Sequence, residues 1–228
     1  MTSPEPLNRR LAAEALGTGL LVATVVGSGI MAERLAGGNE ALTLLCNAVA
    51  TGAILVIIIT IFAPLSGAHF NPTVSLVFAV RSTLPWPEFG PYVLAQCAGG
   101  VAGIVVAHLM FDLPPVALGT HGRSGPSQWL AETVATFSLV FVILGGIRHA
   151  AAAVPWLVGL VITAAYWFTS STGFANPAVT LARGFTRTFS GIAIADVPGF
   201  VAAEFLGGWL AAAAGAALFT PRGRAEPD

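Results

Sequence analysis

The sequence predicts an all-α membrane protein in which six transmembrane helices and two re-entrant half-helices form an inverted repeat. Three observations carry this. The 228 residues are 55% hydrophobic and only 9% charged, whereas a soluble domain carries about a quarter charged residues, so this chain could not cover a water-facing surface. Six apolar stretches reach the roughly 20 residues that a helix needs to cross a bilayer. Two more, each opened by Asn-Pro, run for only about ten residues and stand at matching places in the two halves.

The first span is expected at 11–32. Arg9 and Arg10 before it give a superficial likeness to a signal peptide, but the apolar run continues to about Ile30, as a spanning helix requires. The turn GGN at 37–39 precedes a second span at 42–63. A half-helix follows at 71–80, since ten helical residues at ~1.5 Å each cover only half of a ~30 Å hydrocarbon core. LPWPEFGP (84–91) leads into the span 91–112, and DLPP (112–115) and GTHGRSGP (119–126) mark a connecting loop over 113–127. Spans are then expected at 128–147 and 154–172, a second half-helix at 177–186, and a last span at 198–219 after DVPG. The expected organisation is a first repeat over 1–112, the loop 113–127, a second repeat over 128–219 and a tail over 220–228.

The halves align residue by residue. AEALGTGLLV matches AETVATFSLVFV, setting Glu14 against Glu132. HFNPTVSL matches FANPAVTL, and AQCAGGVAG matches AEFLGGWLA, setting Gln96 against Glu204, which reads as a helix-packing or interface residue rather than a site. Three spans per repeat is an odd number, so the second repeat enters the membrane from the opposite side and both termini share one face. Arg9, Arg10, Arg81, Arg148, Arg222 and Arg224 fall on that face, against Arg34, Arg123, Arg183 and Arg187 on the other. The bias places both termini in the cytoplasm, with the chain in the inner (plasma) membrane. Trp86, Trp129, Trp156 and Trp167 lie near span ends, as interfacial anchors do.

Several function classes are excluded. There is no Lys, the net charge is −1, and no basic cluster suits nucleic acid. Cys46 and Cys97 lie inside apolar segments and are too few for a zinc or iron–sulfur site. His69, His108, His121 and His149 are scattered, with no spacing that suggests catalysis, a metal or a cofactor. A secondary transporter is the alternative that an inverted repeat with broken helices also allows, but no intramembrane cluster offers a coupling-ion site.

The two breaks have a physical use. Irregular backbone at membrane depth is tolerated only where protein or a watery cavity satisfies it. Pro72 and Pro177 take the first helical position, where a missing N–H costs nothing, and Asn71 and Asn176 take the cap. Each Asn amide is then expected to be free to donate into a cavity between them. Each half-helix also sets roughly +0.5 charge at its N-terminus, which disfavours cations and suits neutral solutes bearing oxygen.

With SGAHFNP, both Asn-Pro motifs and a Glu in the first span of each half, the chain resembles the aquaporin/major intrinsic protein family over nearly its whole length. The resemblance implies a homotetramer with one pore per subunit, passing water or small neutral solutes without cofactor or catalysis. It also implies that Glu14 and Glu132 accept from re-entrant N–H groups, and that the backbone of His69 lines the pore.

Two motif positions depart from the family. The first motif reads Asn71-Pro72-Thr73, where the family usually has Ala third. The second reads Asn176-Pro177-Ala178 but is followed by Val179, where most members place a filter Arg. The remaining filter positions fall by counting on Thr51, on Ala164, and on Gly173, or on Phe174 if the loop is one residue short, in which case Thr163 replaces Ala164. These residues imply a wider, less polar opening for glycerol, urea and undissociated metalloid hydroxides such as arsenous acid. Such filters resemble those of bacterial members associated with arsenic handling, methylated arsenicals included. Val179, Arg183 and Arg187 are spaced by four and would form one helical stripe. Arg183 stands one turn beyond Val179, toward the outer vestibule, where it either snorkels to headgroups or caps loop carbonyls, or leans back to restore a positive charge.

Overall fold

A computed structural model describes residues 5–219. Among these residues eight α-helices follow one another: α1 (Leu7–Leu35), α2 (Glu40–Ser66), α3 (Pro72–Val80), α4 (Trp86–Met110), α5 (Pro126–His149), α6 (Val154–Phe168), α7 (Pro177–Arg183) and α8 (Val197–Phe219). With a 3₁₀ turn at Ala151–Ala153 leading into α6, six of them are long and apolar enough to span a membrane. The other two, α3 and α7, are the half-helices. The expected 220–228 tail, with Arg222 and Arg224, lies outside the described residues.

Local chemistry sets the ends. The Asn39 side chain caps α2 by accepting from Leu42 N at 3.0 Å. Gly67, at φ 88°, ends α2 in a left-handed conformation that a Cβ would strain. Two ends differ from expectation. The chain leaves α6 after Phe168 rather than at 172, with the Thr169 hydroxyl taking the Ala165 carbonyl at 2.7 Å. α7 stops at Arg183 rather than 186, because loops take up its last carbonyls: Ile192 N donates to Arg183 O and Gly119 N to Gly184 O. Arg187 therefore stands outside the helix, donating to Leu118 O, and does not extend the stripe of Val179 and Arg183.

Packing follows a repeated scheme. α1 packs on α4 and α2, α5 packs on α8 and α6, and α2 meets α6 across the halves. Lipid offers no hydrophobic drive between helices, so close backbone approach supplies the contact energy. At Gly99 and its counterpart Gly207, a Cβ would run into the carbonyls of Ala15 and Thr133 respectively. Large apolar side chains such as Leu94, Leu160 and Leu206 point outward. In water they would be a liability; against acyl chains they are the expected surface.

Candidate functional site

The two half-helices meet N-terminus to N-terminus through their caps. Asn71 Oδ1 accepts from Thr73 N at 2.9 Å, and Asn176 Oδ1 from Ala178 N at 3.0 Å. Their amide nitrogens cross over: Asn71 Nδ2 donates to Ala175 O at 2.7 Å and Asn176 Nδ2 to Phe70 O at 2.8 Å. The sequence led us to expect free amides, and they are free only in part. Each NH₂ ties the opposite loop and keeps one proton for the cavity. The loops repeat a left-handed alternation, Ala68 and Phe70 (φ 51° and 49°) matching Gly173 and Ala175 (φ 60° and 51°). Three of these four residues carry a Cβ, so the conformation is strained and must be held from outside.

Buried carboxylates hold it. Glu14 accepts from His69 N (3.0 Å), Phe70 N (2.6 Å), Ser66 Oγ (2.7 Å) and Gln96 Nε2 (2.8 Å). Glu132 accepts from Phe174 N (2.9 Å) and Ala175 N (2.8 Å). Sequence reasoning left Glu204 as a packing residue, yet its Oε1 accepts from Asn176 N at 3.1 Å and Thr180 Oγ1 at 2.5 Å. Its counterpart Gln96 donates to Ser75 Oγ at 2.9 Å, on the other half-helix. The alignment of Gln96 with Glu204 was the signal that could have revealed the pair. The His69 ring is also spoken for, with Nδ1 at 3.1 Å from Ser75 Oγ and the ring beside Phe78 and Tyr92.

Between the halves lies a cavity of about 510 Å³. Asn71 and Asn176 sit on its wall together with Thr51, Gly173, Phe174, Val179 and Arg183, so these expected positions do come together. Among the described residues that line it, Arg183 is the only charged side chain and none is an acid. The guanidinium does both things the sequence left open: Nε donates to Ser190 O, while the group also faces the cavity. It stacks on Phe174, with Cζ 3.3 Å from the ring centroid.

Two expected filter positions need correction. Ala164 is exposed on the outer side of α6, and its substitute Thr163 faces α2, with its hydroxyl 2.8 Å from Gly159 O and 3.4 Å from Ala48 O. α6 instead turns Val158, Ile162 and Tyr166 to the cavity, a stripe spaced by four. Counting back from Asn176 missed this because Thr169–Ala175 is an irregular loop, so helical register does not carry across it. Thr73 does not face the cavity. It is fully buried against α8, where a Cβ on Gly208 would strike its methyl, and its hydroxyl has no partner among the described residues. Its motif neighbours Pro72, Pro177 and Ala178 are likewise buried away from the cavity wall.

Residues 1–149 match the Major intrinsic protein family, and over 201 residues the chain is 64% identical to Aquaglyceroporin AqpS of Rhizobium meliloti (strain 1021), covering 88% of this chain and 86% of that one. The chain belongs to the major intrinsic protein family. Aquaporin NIP2-2 of Zea mays is 34% identical over 200 residues, covering 83% of this chain and 66% of that relative. The X-ray structure of the aquaglyceroporin from Plasmodium falciparum matches with a TM-score of 0.70 at 18% identity, over 94% of this chain and 96% of the other, a likeness of fold. Major intrinsic proteins are membrane channels, not enzymes, and this chain is a multi-pass member with the aquaglyceroporin fold.

Proposed function

We propose that this chain is a passive channel for water and small uncharged solutes, wide enough for glycerol, urea and neutral metalloid hydroxides such as arsenous acid. One observation carries the reading: beside the crossed Asn71 and Asn176, the cavity wall carries Val179 where most members place an Arg. A valine removes a long side chain and its charge from this level, and the hydroxyls of Thr51 and Tyr166 stand on the same wall. The aquaglyceroporin name of the 64% identical relative supports the same reading.

The roles of the site residues belong to this proposal. Asn71 and Asn176 orient a passing solute by its oxygens, and Thr51, Tyr166, Gly173, Phe174 and Val179 set the bore. Glu14, Glu132, Gln96 and Glu204 hold the loops. The matching loop geometries support an inverted repeat of 1–112 and 128–219 about the 113–127 loop. The arginine count supports cytoplasmic termini in the inner membrane, and the apolar flanks suit a homotetramer in the bilayer.

Stopped-flow light scattering on proteoliposomes tests it, comparing water, glycerol, urea and arsenous acid with empty vesicles. Fast solute influx with low activation energy is expected. Fast water with no solute influx would overturn the wide-bore reading, and saturable uptake driven by an ion gradient would point to a transporter.

A further inference from the structure

Arg183 is only 2% exposed, yet its hydrogen bonding is unfinished. Nε is spent on Ser190 O, while neither terminal nitrogen has a hydrogen-bond partner among the described residues. Neither is among the sealed, unpartnered polar atoms, so both keep some accessible surface, and Arg183 lines the cavity. The terminal nitrogens of a planar fork therefore keep N–H donors unspent beside a space with no acid among its described lining residues.

The fork is held rigid. Stacking on Phe174 fixes its plane, and Phe174 is itself anchored through its N–H to Glu132 at 2.9 Å. Arg123 adds a second positive charge, 5.2 Å from the same ring, with Nε and Nη1 committed to the carbonyls of Gly191 and Ser171. The buried acids that act on Arg183, Glu132 and Glu204, accept from amides of the 174–176 segment, Glu204 through Oε1 alone, and neither is among the described residues on the cavity wall. The N-terminal ends of both half-helices add positive potential further in.

We propose that Arg183 forms an outer subsite at the mouth of this pore that binds small monoanionic oxyacids through two oxygens on one atom, and so slows the passage of neutral solutes. This rests on the channel reading given above. The chemistry is that of a guanidinium fork meeting paired oxygens. Urea, with a single oxygen, cannot form two parallel bonds to the fork. Val179 leaves room for a tetrahedral head to reach the fork, where an Arg at 179 would crowd it and repel Arg183.

Methanesulfonate is a suitable probe: it keeps one negative charge at every working pH, carries its oxygens on one sulfur and crosses lipid poorly. Glycerol influx into vesicles holding the full chain is measured with external methanesulfonate or chloride at equal ionic strength, and the ratio is taken within each protein. For the wild type, methanesulfonate should slow influx saturably, about twofold or more. Arg183→Gln should bring the ratio to one. Arg183→Lys, which keeps the charge but loses the fork, should fall between.

A wild-type ratio of one, or slowing that persists undiminished in Arg183→Gln, overturns the subsite. Should Arg183→Gln yield no folded protein, Arg183→Lys and the wild-type concentration series still decide. No glycerol influx in chloride above empty vesicles is a different failure: it brings down the channel reading, and this subsite with it.

Discussion

Thr51 Oγ1 and Tyr166 Oη stand 3.1 Å apart, joining α2 of the first half to α6 of the second at the cavity wall. One hydroxyl donates to the other, which leaves a single hydroxyl proton to offer a solute. Tyr166→Phe removes that pairing without changing the ring. Glycerol influx should fall by up to roughly fivefold, the worth of about one hydrogen bond of ~1 kcal/mol, and water should fall less. An equal loss for both solutes in stopped-flow traces would count against a polar role for the pair.

The register of α6 can be tested separately. Ala164 is exposed on the outer face, so Ala164→Trp should leave water and glycerol rates within about twofold of wild type, as surface changes usually do. A blocked pore in that variant would mean that residue 164 does face the solute path.

Val179→Arg should restrict bulky solutes more than water. The new guanidinium would enter the bore about 6 Å from Arg183 along the same stripe of α7. Glycerol and arsenous acid influx should drop about tenfold, with water reduced severalfold less. Equal losses would show that Val179 is not at the constriction.

Glu132→Ala strands two buried amides, Phe174 N and Ala175 N, whereas Glu14→Ala strands His69 N and Phe70 N along with Ser66 and Gln96. At about 1–3 kcal/mol for each unsatisfied donor, both should lose several kcal/mol, Glu14→Ala the more. Thermal unfolding of the purified variants reads this directly. Glu→Gln retains one carbonyl acceptor and should lose less; a Glu132→Gln protein of full stability whose flux had lost a pH dependence would point to a proton relay instead.

Thr73 and Gly208 should be coupled. Gly208→Ala drives a Cβ into the Thr73 methyl and should destabilise by about 1–3 kcal/mol. Thr73→Ala, which also removes an unpartnered buried hydroxyl, should recover most of that loss in the double variant. Simple additivity of the two changes would contradict the contact.

Much of the site was legible because its logic is local. Asn71-Pro72 and Asn176-Pro177 announce cap and first turn within two residues, and both helices begin there. The match of Glu14 with Glu132 was likewise readable, since both occupy the same turn of a first span. Ala164 shows where such reasoning ends: the irregular loop before Asn176 breaks helical phase, so no count along the chain could say that Tyr166 turns inward. Glu204 shows the same limit in another form. Its role depends on α8 lying beside α7, a neighbour far away in sequence.

The sequence by itself determined six spans, two broken half-spans and a chain that lipid must surround, because hydropathy, length and Asn-Pro capping act over a few residues. Only the tertiary structure decided which groups face the solute. It crossed the two Asn amides onto opposite loops, turned Thr73 away against Gly208, and placed Tyr166 beside Thr51. It also left the fork of Arg183 half unpaired at the cavity. Those outcomes depend on helix rotation and on contacts between segments up to 115 residues apart, where side-chain direction is fixed by packing rather than by neighbours in the chain.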